Sequence, residues 1–258
     1  MIAAGDVASC DLEGDALTAA LIGNLDGTVL ALGDLAYPAG SDATYRDCYG
    51  PTWGAFLDRT RPVVGNHDLQ ADGGAAYWRY FGDRAGTPGE GWYSFDIGEW
   101  HVVVLNSNCE LVACGPGSPQ NDWLNADLAA SDARCTLGAM HHPRFSSGPH
   151  GDYPPVAPLW EALDAADADL LLVGHDHLYE RFAPQDGTGA ADPDGLRQIT
   201  AGTGGYTLYG AARVAPNSES LIPTAYGVLV LTLHPDSYHW SFVAIDGREL
   251  DSGSADCP

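Results

Sequence analysis

The chain has 258 residues, 45% of them hydrophobic, enough to bury one sizeable core, and it holds no apolar run long enough to span a bilayer. Asp and Glu number 35 against 11 basic residues, every one an Arg, for a formal charge of −24. That imbalance argues against nucleic-acid backbone and anionic membranes as partners, because both would be repelled.

In chain order, residues 1–7 read as a buried strand with no charged n-region or cleavage site ahead of it. On this reading either the protein is intracellular or a leader has been removed and a start Met supplied. The pattern then predicts a helix at 12–22, strands at 28–32 and 62–65, a helix at 74–81, and strands at 93–97 and 101–106. A helix follows at 120–130, a strand at 136–140, a helix at 155–166 and a strand at 170–173. Residues 195–201, 226–233 and 238–245 look like antiparallel strands. Strand–loop–helix order over the first two thirds implies an α/β fold with a largely parallel sheet, and the strand-rich tail suggests a second sheet packed on it. Gly- and Pro-rich stretches at 86–91, 115–119, 148–158 and 184–195 read as surface loops, so residues 1–258 form one domain.

Six cysteines stand at 10, 48, 109, 114, 135 and 257, none in a zinc-like spacing. The even count points to three disulfides and an oxidising compartment, with buried free thiols as the alternative. Cys109 and Cys114 close a short loop and make the simplest pair; the other pairings stay open.

The residues that carry chemistry sit where strands end. Gly5-Asp6, Gly33-Asp34, Gly65-Asn66-His67-Asp68, His141-His142-Pro143 and Gly174-His175-Asp176-His177 each follow an apolar run. Open α/β sheets build sites just past the C-terminal edges of their strands, and the preceding glycines allow a sharp turn and close backbone approach. Each motif alone is weak; five in this order are specific. Imidazole, carboxylate and amide oxygen without thiolate suit two hard or borderline cations that share a carboxylate. With so acidic a chain, positive charge for a phosphate must come from such metals and a few local arginines.

At these residues the chain resembles the calcineurin-like metallophosphoesterases, and more narrowly their purple acid phosphatase branch. Tyr37, in Gly33-Asp34-Leu35-Ala36-Tyr37, matches that branch's Gly-Asp-x-x-Tyr, and Ala8 occupies the position where other branches carry a ligand His. The resemblance implies a four-layer α/β/β/α sandwich of two packed mixed sheets flanked by helices. It implies Fe(III) at Asp6, Asp34, Tyr37 and His177, and Zn, Mn or Fe at Asp34, Asn66, His141 and His175, with Asp34 bridging. The family's His-x-Pro register selects His141 over His142 as ligand. His67 is the expected phosphate contact or acid for the leaving group. His150 reads equally as a substrate-contacting or a surface histidine, and Arg144 equally as a phosphate clamp or an idle rim residue. The Gly202-Thr203-Gly204-Gly205-Tyr206 run reads as a loop lining the cleft, and His101, His234 and His239 as structural.

The implied activity is hydrolysis of small-molecule phosphate monoesters by attack of a metal-bound hydroxide, in a secreted or periplasmic monomer or homodimer. Its competitors are a phosphodiesterase or nucleotidase using the same metals, and a secreted metal-binding module without turnover.

Overall fold

The computed structural model describes residues 1–257. The strands are β1 Ile2–Ala4, β2 Val29–Leu32, β3 Thr60–Val63, β4 Tyr93–Ile97, β5 Trp100–Val104, β6 Cys135–Ala139, β7 Leu170–Val173, β8 Tyr179–Phe182, β9 Arg197–Ala201, β10 Ser218–Ile222, β11 Gly227–His234, β12 Ser237–Ala244 and β13 Glu249–Asp256. The α-helices are α1 Gly14–Ile22, α2 Asp42–Thr44, α3 Ala75–Phe81, α4 Pro119–Ala130 and α5 Ala157–Asp164. A π-helical turn at Tyr45–Tyr49 and a 3-10 helix at Trp53–Arg59 connect β2 to β3. Helix α4 starts as its sequence dictates, with Ser118 capping the Asn121 N–H and Pro119 in the first turn.

Two sheets form. One has the order β13-β12-β11-β1-β2-β3, the other β10-β8-β9-β7-β6-β5-β4. Strands β1, β2 and β3 are parallel, as are β5, β6, β7 and β9, while the outer strands are antiparallel. The side-chain alternation of each central strand divides it between two cores. Ile2, Val29 and Ala31 face Ile22, Tyr49, Trp53, Tyr77 and Phe81 on the helical side. Ala3, Leu30 and Leu32 meet Val102, Val104, Leu137, Leu170 and Leu172 of the other sheet. Val103, Leu171 and Val173 pack on Leu124, Leu159, Trp160 and Leu163 of α4 and α5. Three cores between four layers give the expected α/β/β/α sandwich of two mixed sheets.

One expectation is corrected. The tail strands β11, β12 and β13 do not make the second sheet; β11 pairs antiparallel with β1 and extends the first one. Strands β8, β10 and β13 also escape the sequence pattern. The sequence of β13, Glu-Leu-Asp-Ser-Gly-Ser-Ala-Asp, is poor in strand formers and is held by its ladder with β12.

The cysteines form Cys10–Cys48, Cys109–Cys114 and Cys135–Cys257. The last joins residues 122 apart and ties the C-terminus to the start of β6. His101 is indeed structural: its Nδ1 lies 2.8 Å from Asp96 and its Nε2 2.8 Å from Asp127. Burial opposes its charge, but the two carboxylates prevail and raise its pKa. A raised folded-state value means that the pair stabilises the fold below the ordinary imidazole range, about 6.5, and that this contribution fades as pH rises through the raised value. His101→Gln is therefore expected to lose about 1 kcal/mol in urea denaturation at pH 6 and little at pH 9. An equal loss at both pH values would refute the charge pairing.

Candidate metal centre

The C-terminal ends of β1, β2 and β3 in one sheet and of β6 and β7 in the other open at the same end of the sandwich, and five loops converge there. The backbone makes sharp turns at the functional residues themselves. Asp6, Asp34 and His175 have positive φ values of 60°, 54° and 72°. Of the four preceding glycines only Gly33 shares that region. At Gly174 the need is space, because a Cβ would lie 2.9 Å from Asp6 Oδ2. Strained ligand positions held by packed surroundings are a common mark of functional sites.

Two groups of donors share Asp34. On one side Tyr37 Oη lies 3.0 Å from Asp6 Oδ1, 3.2 Å from Asp34 Oδ2 and 3.1 Å from His177 Nε2. On the other, His141 Nε2 is 3.2 Å from Asp34 Oδ2 and 3.3 Å from His175 Nδ1. Asp34, His141 and His175 present ligand atoms within 4.8 Å of one another. Asn66 Oδ1 is buried without a hydrogen-bond partner. Six of the seven residues expected to bind metal, Asp6, Asp34, Tyr37, His141, His175 and His177, thus enter one cluster, and Asn66 contributes the orphaned amide oxygen of the adjoining loop. Among the described residues the other close group, Cys135, Asp169 and Cys257, has both sulfurs joined in a disulfide.

Hydrogen bonds fix which atoms are free to coordinate. His141 Nδ1 lies 2.8 Å from the Leu32 carbonyl and His177 Nδ1 2.6 Å from the Thr207 carbonyl. A carbonyl only accepts, so each Nδ1 carries a proton and each Nε2 is the nitrogen turned toward the cluster. The single Tyr37 proton faces three acceptors and can serve one. Asp6 Oδ2 accepts the His175 N–H at 2.9 Å and Asp34 Oδ1 the His67 N–H at 2.7 Å, which aims their other oxygens inward.

Protons and cations compete for the same buried atoms. Burial raises the Asp34 pKa, but His141 and His67 together pull it well below the carboxylate range. Burial and the positive charges of His141 and His142 push His175 down to about 2, so it stays neutral. Burial works against a charged His141, yet Asp34 brings it up to about 9. Burial and the Asp6 and Asp34 carboxylates raise the Tyr37 hydroxyl well above 10. Crowded lone pairs and an orphaned amide oxygen fit two cations on either side of Asp34, and no thiolate is present to favour a soft metal.

The remaining predicted residues divide. His67 Nδ1 donates to the Pro38 carbonyl at 2.6 Å, which leaves Nε2 at 4.0 Å from Asp34 Oδ2. His150 is exposed, with its ring centroid 4.4 Å from that of His175. Arg144 is not brought to the cluster: its guanidinium donates to the Gly187 carbonyl at 2.9 Å and covers the Phe145 ring, so it serves the 184–195 loop. His142 is buried on Ser107 and Tyr153, and burial followed by the His141 charge lowers its pKa to about 3.

Sequence reasoning missed the residues that hold the donors. Asp68 accepts the N–H groups of Asp34, Leu35 and Gly65, each at 2.9 Å, and the Tyr45 hydroxyl at 2.7 Å. Its place beside Asn66 and His67 was the available signal. Tyr206 stacks on Tyr37 with centroids 3.7 Å apart, and Tyr209 on His177 at 4.0 Å. Nothing in the sequence spacing reveals those plates.

Comparison with known proteins speaks to family and fold. Residues 16–179 match the family model for the calcineurin-like phosphoesterases. Purple acid phosphatase 21 of Arabidopsis thaliana is 31% identical over 189 residues, 64% of this chain and 42% of that protein. Acid phosphatase A of Cryphonectria parasitica is 31% identical over 150 residues, 50% of this chain and 29% of that one. The chain therefore spans about two fifths or less of the length of these curated relatives. Among solved structures, purple acid phosphatase PPD1 from yellow lupin seeds superposes with a TM-score of 0.80 at 18% identity, covering 99% of this chain and 53% of that one. GAP50, the anchor in the inner membrane complex of Plasmodium, gives 0.78 at 18% identity, covering 100% and 88%. At that identity the structures speak for the fold, and the family match with the sequence relatives for descent: the chain belongs to the calcineurin-like phosphoesterase family, in its purple acid phosphatase-like branch.

Proposed function

We propose that the chain is a dinuclear metal phosphatase that hydrolyses phosphate monoesters. Asp6, Tyr37 and His177 hold one cation, Asn66, His141 and His175 the other, and Asp34 bridges them. The observation that supports this reading is the gathering of Asp6, Tyr37 and His177 on one side of the buried Asp34 and of His141 and His175 on the other, with the Asn66 amide oxygen buried and unpartnered. A phenol whose pKa is raised by burial and two carboxylates ionises only against a strongly charged Lewis acid, which supports Fe(III) on the Tyr37 side. The Asn66 side suits Zn, Mn or Fe.

When bound, such a pair of cations activates water and offsets charge on both the attacking and leaving oxygens. The protein's own groups do the rest. Pro38 fixes the His67 ring so that Nε2 faces the cleft, where a proton held on that atom meets the phosphoryl or leaving oxygen. His150, whose backbone N–H is pinned at 3.1 Å to Asp176, stands beside His175 as a second contact. Three disulfides support an oxidising, secreted or periplasmic setting.

Reconstitution with iron is expected to yield a visible phenolate-to-metal absorption band that Tyr37→Phe removes; a band that survives the substitution would refute the Tyr37 assignment. Parallel assays on 4-nitrophenyl phosphate and bis-(4-nitrophenyl) phosphate separate the monoesterase from the diesterase that shares its ligands. The intact donor set argues against a module without turnover, although GAP50 is an anchor on the same fold.

A further inference from the structure

The loops leaving the C-terminal edges of the two sheets span 5–13, 33–41, 64–74, 105–118, 140–153, 174–178 and 202–217. They carry nine acidic residues and two arginines. Both arginines are occupied. Arg144 is held by the Gly187 carbonyl and the Phe145 ring, and Arg213 by the Ser146 carbonyl at 3.0 Å and Asp152 at 2.5 Å.

The other nine arginines are engaged or remote. Arg61 and Arg197 begin β3 and β9 and Arg134 precedes β6, at the end of the sandwich opposite the cluster. Arg181 is clamped by Asp251 and Glu219, and Arg59 by the Gly27 and Ile22 carbonyls. Arg46, Arg79, Arg84 and Arg248 pair with Asp47, Asp42, Asp58 and Asp246. The chain has no lysine. Among the described residues, no arginine is therefore left free to add positive charge to the cleft. The adjoining wall is aromatic, with the half-buried Tyr153, Tyr206 and Tyr209.

Resting on the phosphatase reading above, we propose that the cleft selects its substrate by charge: it takes one phosphoryl group esterified to an uncharged or cationic alcohol and rejects esters bearing further anionic groups. The metal pair offsets one phosphoryl group. A second phosphate or a carboxylate on the leaving group projects into a negative field with no arginine or lysine to receive it, whereas an ammonium or an apolar ring meets acidic loops and tyrosine faces.

The test compares kcat/KM of the metal-loaded protein for phosphocholine and 4-nitrophenyl phosphate with that for pyrophosphate and ATP. It is run at about 0.01 M salt, where the Debye length is about 30 Å, and at about 1 M, where it is about 3 Å. The expected result is an advantage of about ten-fold or more for the first pair at low salt that shrinks at high salt. Asp152→Asn removes one acidic charge and leaves the Arg213 charge unpaired, held by the Ser146 carbonyl alone, so it should raise the pyrophosphate value several-fold at low salt and leave 4-nitrophenyl phosphate unchanged. Equal or faster turnover of the polyanions at low salt, or a preference that ignores salt, overturns the charge selection and spares the phosphatase reading. Failure to release phosphate from any of the four overturns both.

Discussion

Asp34→Ala will lose metal from both positions and lower the turnover of 4-nitrophenyl phosphate by at least about 10³-fold, about 4 kcal/mol of barrier. The reason is geometric. Asp34 Oδ2 lies 3.2 Å from both Tyr37 Oη and His141 Nε2, one on each side of the shared position, so a single truncation removes a donor from both groups. Its Oδ1 also accepts the His67 N–H, so the same change loosens His67 as well. The fold should persist, because the backbone around Asp34 is anchored by Asp68 and not by the Asp34 side chain. Metal analysis, circular dichroism and initial rates on one sample test this. A variant with full metal content and normal turnover would sink the bridging assignment.

Asp68→Ala is expected to act through stability first. The substitution orphans three buried backbone N–H groups and the Tyr45 hydroxyl. Each unsatisfied buried donor costs about 1–3 kcal/mol, so even with water entering the space the loss is about 3 kcal/mol or more. For a chain of this size that lowers Tm by about 6–12 °C or more. Burial and the nearby Asp34 charge raise the Asp68 pKa to about 6, which leaves it ionised and accepting all four bonds at neutral pH. Metal affinity should fall as well, since the N–H groups it holds position the Asp34 and Gly65 turns. Calorimetry that finds an unchanged Tm would contradict this role.

These two aspartates mark how far the sequence can be read. Asp34 is legible because it follows a four-residue apolar strand, β2, whose burial on both faces leaves only its end for chemistry. The same logic exposes Asp6, Asn66, His141, His175 and His177. Asp68 lies in one of those motifs, but its role depends on four donors, two of them more than 30 residues upstream, and spacing along the chain carries no record of such contacts. Arg144 adjoins a ligand in sequence and still turns away, because the Gly187 carbonyl and the Phe145 ring offer its guanidinium a place outside the cleft. The tail strands β11 and β12 were visible as strands, but their sheet was not, since alternation specifies a buried face and does not name the neighbouring strand.

By itself the sequence determined the α/β order, the Asp, Asn and His motifs at five strand ends and the acidic balance, because hydrophobic periodicity, residue chemistry and charge are local properties of the chain. Tyr37 as a donor and the four layers came from the family resemblance. The tertiary structure alone decided how the loops of both sheets merge into one cluster, which nitrogen of His141 and His177 faces it, that Tyr206 and Tyr209 stack on its members, and that no arginine reaches the cleft. Each of these depends on contacts between segments far apart in sequence, and only packing brings them within a hydrogen bond of one another.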